Sequence, residues 1–322
     1  MAREHIRAFR DLPDVSVVGI HSRTRERALV LAKEFEISHV ADSVAELHER
    51  TQTDLVVVAV PELAARTVAS TCFEYPWTVL LEKPAGYNLA DAEAIAAAAK
   101  SRGSRVLVAL NRRHYGTTRA VAADLDTIES VRFIHVQDQQ DPVAAAAAGQ
   151  PREVVENWMF ANSVHTIDFL RVMGRGQIVD VQPVIPWNSA SPGPVVVRLH
   201  YDSGDIGLYE GMWNAPGPWA VSVTTPARRW EQRPLESARV QIRGEYRQTE
   251  IQRDPVDQVF KAGFRRQAEQ AVAAALGRPS TSATLEDSLH TMRLVDRIFS
   301  STGAGDPIPT WGGGQTAGNV GG

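Results

Sequence analysis

Two side chains in this sequence stand where their chemistry could serve the oxidation of an alcohol. Lys83 follows directly on an apolar run, in Thr78-Val79-Leu80-Leu81-Glu82-Lys83-Pro84. A lysine in that place lies at the carboxyl edge of a parallel sheet, where open α/β sheets bind ligands. Its ammonium can hold a substrate hydroxyl and stabilise charge on the oxygen as hydride leaves the carbon. His165 sits in a helical stretch, Asn162-Ser163-Val164-His165-Thr166-Ile167-Asp168. An imidazole titrates near neutrality, so it can take the proton of that alcohol. Spacing of three puts Asn162, His165 and Asp168 along one helix face. Each residue has a plainer alternative: Lys83 as a solvated strand-end cation, and His165 as a helical histidine bonded to Asp168.

The elements that must position these residues can be read from periodicity. Arg3 to Leu12 has helical spacing with Ile6 and Phe9 on one face, and Val15 to Ile20 is a short apolar run typical of a buried parallel strand. Helical spacing returns at Arg25 to Phe35, and further strands are expected at Leu55 to Val60, Thr78 to Leu81 and Arg105 to Leu110. An alanine-rich helix, Asp91 to Lys100, lies between the last two. Strands alternating with helices predict βαβ units and a parallel sheet. The second half changes character. A strand at Val131 to Gln137, an alanine-rich stretch (Ala144 to Ala148) and the His165 helix precede a succession of strands at Val195 to Tyr201, Ile206 to Trp213, Val221 to Thr225 and Arg239 to Gly244. Asp202-Ser203-Gly204-Asp205 has the composition of a hairpin turn. Strands in succession predict an antiparallel sheet, with helices at Gln258 to Leu276 and Leu285 to Ser300 beside it. The tail from Gly303 is rich in Gly, Pro and Thr, a composition expected to be poorly ordered. No internal repeat is present.

The front of the chain is unusual. In a doubly wound dinucleotide fold a glycine-rich loop follows the first strand, and the group that reads the adenine ribose comes about 20 residues later, at the end of the second strand. Val15 to Ile20 occupies the second strand's place and ends in His21-Ser22-Arg23. Counting back puts the glycine loop at or before Met1. A first strand and glycine loop are therefore expected ahead of Met1. The alternative is a chain that lacks them and binds dinucleotide poorly. At Ser22-Arg23 a hydroxyl and a guanidinium replace the acidic residue that selects NAD, and arginine suits a 2′-phosphate. NADP is the expected cofactor, with NAD as the alternative.

Composition narrows the class. The 322 residues exceed most single cores, and 43% hydrophobic with 22% charged residues are ordinary globular values. A net charge of -4 gives no electrostatic reason to expect nucleic acid or an anionic membrane as partner. No run approaches the roughly 18 apolar residues of a membrane span. The opening Met-Ala-Arg-Glu-His mixes charge into the place of a signal peptide's apolar core. The single cysteine, Cys72, can form no internal disulfide and no metal site alone. A cytoplasmic protein without a bound metal is expected.

Taken together, Val56-Val57-Val58-Ala59-Val60-Pro61, Leu81-Glu82-Lys83-Pro84, Asn111-Arg112-Arg113 and His165-Thr166-Ile167-Asp168 resemble the glucose–fructose oxidoreductase/inositol dehydrogenase/rhizopine catabolism (Gfo/Idh/MocA) family. The resemblance runs from Met1 to about Ser300, and Met1-Ala2-Arg3-Glu4-His5 is similar to the stretch just after the family's glycine loop. It implies a Rossmann-like α/β domain over 1–113, truncated at its start, an α+β domain with an open antiparallel sheet over 114–302, and a tail at 303–322. The implied reaction is hydride transfer between a nicotinamide and a sugar, polyol or derivative. Lys83 would orient the substrate beside the nicotinamide and His165 would act as acid and base. Ser22, Arg23, Pro61, Glu82 and Lys83 would line the cofactor site, and Pro84 would follow a cis bond. Asn111, Arg112 and Asn162 would contact substrate, and the second sheet would support a homo-oligomer, dimer or tetramer. The plainer alternative for Asn111 and Arg112 is a basic linker facing solvent.

The chain departs from the family at three places. Ala161 stands where several family dehydrogenases have an aspartate, Glu62 replaces an asparagine after Pro61, and Ala65 replaces a histidine. Trp158, Met159 and Phe160 are expected as core or cleft wall, and Trp213 and Trp219 as core rather than sugar platforms. Two rivals remain open: a non-catalytic ligand-binding or regulatory descendant of the fold, and an enzyme that uses tightly held cofactor in a redox-neutral cycle.

Overall fold

The computed structural model describes residues 1–300. The tail from Gly303 lies outside the described residues. The first part alternates helices and short strands: α1 (Ala2–Arg10), β1 (Gly19–His21), α2 (Arg25–Glu34), β2 (His39–Ala41), α3 (Val44–Thr51), β3 (Leu55–Val58), α4 (Glu62–Cys72), β4 (Thr78–Leu81), α5 (Leu89–Arg102) and β5 (Val106–Val108). β1 pairs with β2, and β3, β4 and β5 form a separate sheet in that order, all parallel. All four residues of β4 are buried because both faces are covered. Val79 and Leu81 pack with Val58, Ile95 and Val108 on one face, while Leu80 meets Ala8 and Phe9 of α1 on the other.

A 3₁₀ turn at Asn111–His114 leads through α6 (Gly116–Leu125) to β6 (Phe133–Gln140). After α7 (Pro142–Ala147) and α8 (Arg152–Glu156), a π-turn at Met159–Ser163 runs into α9 (Val164–Met173). The strands β7 (Ile178–Ile185), β8 (Val195–Tyr201), β9 (Ile206–Trp213), β10 (Ala220–Thr224), β11 (Arg228–Gln232), β12 (Ala238–Ile242) and β13 (Gln248–Ile251) join β6 in an eight-stranded sheet of order β13-β12-β11-β10-β6-β9-β8-β7. The alternating inward residues Ile134 and Val136 of β6 pack under Val164, Ile167 and Leu170 of α9. Three helices end the described chain: α10 (Val256–Val259), α11 (Phe264–Ala275) and α12 (Leu285–Ser300). Phe264, Ala268 and Ala271 of α11 return to the core around α1 and β4.

The architecture is the expected one, parallel Rossmann-like sheets followed by a large, mostly antiparallel sheet. Three details differ from the sequence expectation. The first strand begins at Gly19 instead of Val15; Val15 and Val17 still pack on the α1 core, but outside a ladder. The large sheet contains one parallel pair, β6 with β9, because a long crossover through α9, β7 and β8 separates them. The helix expected over Gln258 to Leu276 is two helices, broken at Gly263, whose φ is 77°. A Cβ there would lie 2.1 Å from the Asn111 carbonyl oxygen, so only glycine lets the two segments meet. The hairpin turn after Tyr201 forms as expected, with Gly204 at φ 85°.

Candidate active site

β4 delivers Glu82 and Lys83 to the carboxyl edge of the parallel sheet. The Lys83–Pro84 peptide bond is cis. Glu82 is anchored from the opposite side: its Oε1 lies 2.7 Å from His5 Nε2, and its Oε2 accepts from the Lys83 amide at 3.1 Å. Burial alone would raise the Glu82 carboxyl, but the His5 hydrogen bond and the charges of His5 and Lys83 outweigh it and hold it below its ordinary value. His5 belongs to the first turns of α1. The pairing therefore sets the N-terminal end of α1 beside the same sheet edge.

From there Lys83 reaches across to the second half of the chain. Its Nζ donates to the Ala161 carbonyl at 2.9 Å. Ala161 lies in the π-turn Met159–Ser163, where the wider turn changes the aim of the residues after it. His165 is the second residue of the helix that emerges from it. Burial pulls the Lys83 ammonium below its ordinary value, and the carboxylates of Glu82 and Glu62 pull it back only in part.

His165 is 8% exposed, and its Nδ1 is enclosed with no hydrogen-bond partner among the described residues. Burial holds the imidazole well below 6.5, and the charges of Arg112, Lys83 and Lys261 push it further down. It is therefore neutral at neutral pH and able to accept a proton. The predicted face of Asn162, His165 and Asp168 is not one functional row. Asp168 binds Arg113 through both oxygens, at 2.6 and 2.7 Å, and accepts from the Thr291 hydroxyl at 2.8 Å. Asn162 sits in the π-turn and donates to Gln140 Oε1 at 2.9 Å, an oxygen that also takes the Trp158 indole N–H at 2.9 Å. The alternative of a histidine bonded to Asp168 does not describe this helix.

Arg112 faces the same space. Its guanidinium carbon lies 4.4 Å from the centroid of the Trp219 ring, and Trp219 Nε1 donates to the Gln139 carbonyl at 2.6 Å. Asn111 is buried and donates to the Ala262 carbonyl at 3.0 Å, which holds the segment carrying Lys261 against the 3₁₀ turn. Trp213 is core, packed with Trp187 and Phe299.

The remaining predicted residues lie at the other strand ends. Pro61 is the N-cap of α4 and Glu62 its first residue. Ser22 accepts from the Thr24 amide at 3.2 Å at the start of α2, and Arg23 beside it is exposed. For a nicotinamide dinucleotide the residues fit: the ends of β3 and β4 and the first turns of α1, joined through His5 and Glu82, form an edge of the kind where doubly wound sheets hold one, and β1 of the separate two-stranded sheet leads to Ser22 and Arg23. Ser22 and Arg23 would face the adenine ribose, Pro61 and Glu82 the middle, and Lys83 the nicotinamide. No group of His, Cys, Asp and Glu among the described residues has metal-binding geometry. A surface cavity of about 450 Å³ between α4 and α5 is lined by none of these residues. His5 and Lys261 were not found from sequence. His5 left one signal, a polar residue on the apolar face of α1.

Comparison with known proteins finds the same fold. Residues 1–110 match the family described as "Oxidoreductase family, NAD-binding Rossmann fold". A 4-carboxy-2-hydroxymuconate-6-semialdehyde dehydrogenase from Sphingobium sp. is 23% identical over 225 residues, 67% of this chain and 70% of that protein. The structure of a dehydrogenase from Chromobacterium violaceum superposes with a TM-score of 0.78 at 18% identity, covering 93% of this chain and 91% of that one. An aldose-aldose oxidoreductase from Caulobacter crescentus, complexed with glycerol, gives a TM-score of 0.75 at 17% identity, covering 92% of each chain.

Proposed function

We propose that this chain, whose residues 1–110 match an NAD-binding Rossmann-fold oxidoreductase family, transfers hydride between a nicotinamide dinucleotide and a secondary alcohol carbon of a sugar, polyol or derivative. The observation that carries the proposal is the 2.9 Å bond from Lys83 Nζ to the Ala161 carbonyl. It brings the strand-end lysine to the turn that aims His165. The bound nicotinamide supplies the hydride acceptor or donor. Lys83 orients the substrate oxygen and stabilises the charge it gains as the proton leaves. His165, kept neutral by burial and by the cations around it, takes that proton in oxidation and returns it in reduction. Trp158, Met159 and Phe160, packed on the core of the large sheet, wall the site from the side of the π-turn. We also propose NADP over NAD, from Ser22 and Arg23, and a division into 1–113 and 114–302 that places the cleft between the two sheets.

Ala161 favours a second reading. A methyl stands where several dehydrogenases of the resembled family carry an aspartate, so a chain that holds its ligand without turning it over is the rival. Titrating the protein with NADPH and NADH by nicotinamide fluorescence, then following absorbance with a panel of polyols and aldoses, separates the two. Binding with turnover supports the dehydrogenase. Binding without turnover on the whole panel moves the assignment to the rival, and no binding of either dinucleotide removes the dehydrogenase reading.

A further inference from the structure

We infer that the substrate of this site carries a carboxylate, and that Arg112 binds it. The inference rests on the proposed dehydrogenase reading and specifies its substrate class: a hydroxy or polyhydroxy acid in place of a neutral sugar. The guanidinium of Arg112 lies over the Trp219 ring, 4.4 Å from its centroid. Packed this way, a guanidinium keeps its N–H edge for an acceptor that approaches in its plane. On that edge Nη1 is enclosed and has no hydrogen-bond partner among the described residues. Among the described residues no carboxylate stands within ion-pair distance of Arg112, whereas its neighbour Arg113 has Asp168 at 2.6 Å. A guanidinium partly withdrawn from water, with one nitrogen fully enclosed, is stabilised by a counterion.

The surrounding groups do not supply one. Lys83 and Lys261 add positive charge at His165. Glu82 is taken by His5 at 2.7 Å. Asp138, the buried acid of β6, gives its two oxygens to Gln140 at 2.7 Å and Tyr209 at 2.8 Å. The hydrogen-bonding neighbour of the guanidinium is the Tyr115 phenol, which carries no charge at neutral pH, and the Glu236 carboxylate acts on Arg112 only from beyond ion-pair distance. A carboxylate matches the flat guanidinium fork through two parallel N–H bonds. Seated on Arg112, it would fix one end of the substrate and leave a carbinol further along the chain to Lys83 and His165.

The test is calorimetric titration of the full chain, with dinucleotide present, using two matched pairs: D-gluconate against D-glucitol, and D-galacturonate against D-galactose. At least one acid should bind about tenfold or more tightly than its neutral partner. Arg112→Gln should bring that pair to within about twofold, with no change in melting temperature. Arg112→Lys, which keeps the charge but loses the fork, should retain only part of the preference. The idea fails if neither acid is preferred, including the case in which none of the four binds. It also fails if the preference survives in Arg112→Gln, if Arg112→Lys is indistinguishable from wild type, or if D-glucitol 6-phosphate binds more tightly than both acids. Nicotinamide fluorescence, recorded on the same samples, keeps loss of the dehydrogenase reading distinct from loss of the carboxylate.

Discussion

Arg112 and Arg113 are adjacent in sequence and are treated in opposite ways. Arg113 is bonded through two nitrogens to Asp168 and, through that carboxylate, to Thr291 of α12. Arg112 turns to the other side, lies over Trp219 and leaves Nη1 without a partner among the described residues. The first arrangement satisfies every strong charge within the protein and clamps the 3₁₀ turn to α9 and α12. The second, with Lys83 and Lys261, concentrates positive charge around a buried neutral histidine. Buried charge that is satisfied internally holds the fold. Buried charge that is left open marks where a ligand belongs.

The sharpest way to break this contrast is to remove a member of the open cluster. Lys83→Ala should lower kcat by about 10²–10³-fold while dinucleotide affinity, read by fluorescence, stays at the wild-type value. Unchanged turnover would remove Lys83 from the chemistry. Removing a member of the closed cluster should do the reverse. Asp168→Ala leaves Arg113 buried and unpaired, at a cost of about 3–5 kcal/mol in urea unfolding. A loss below about 1 kcal/mol would mean the pair is not the clamp described here.

A smaller effect comes from the histidines that flank the two arginines. His114 is held down at about 4, first by burial and then by the charges of Arg113, Arg119 and Arg266. His165 is depressed by burial and its own cations. A group with a lowered folded pKa contributes stability above its unfolded value and loses it as the pH falls. Stability should therefore decline from pH 6.5 towards about 4, by on the order of 3 kcal/mol for His114. In His114→Phe the decline over that window should be shallower; an equal slope would show that His114 is not the group involved. The smallest expected change is at the exposed Arg23. Arg23→Ser should weaken NADPH about tenfold relative to NADH, and an unaltered ratio would return the choice to NAD.

These contrasts were legible in the sequence to different depths. Lys83 could be found because a Glu-Lys-Pro tripeptide ends an apolar strand, a local signal. His165 could be found because His165-Thr166-Ile167-Asp168 matches the family pattern within a helical stretch. The opposite fates of Arg112 and Arg113 could not, because they depend on Asp168 and Trp219, residues brought in by the tertiary fold. The expected row of Asn162, His165 and Asp168 failed for a physical reason: the π-turn at Met159–Ser163 resets the helical phase, and Arg113 competes for Asp168. His5 was hidden because its partner, Glu82, comes from a strand 77 residues away. In the fold, strands with clean alternation such as β8 and β9 were predicted to the residue, while β7, which carries Pro183 and a shifted register, was not.

The central claim is that Lys83 and His165 occupy one site, and it can be tested without knowing the substrate. The His165 imidazole can be followed by NMR in ¹⁵N-histidine-labelled protein from pH 8 downward, in wild type and in Lys83→Met. The wild-type ring should stay neutral to well below pH 6.5, and removing the neighbouring ammonium should raise its titration towards 6.5. A ring that titrates at its ordinary value, or one that does not respond to the loss of Lys83, would contradict the account.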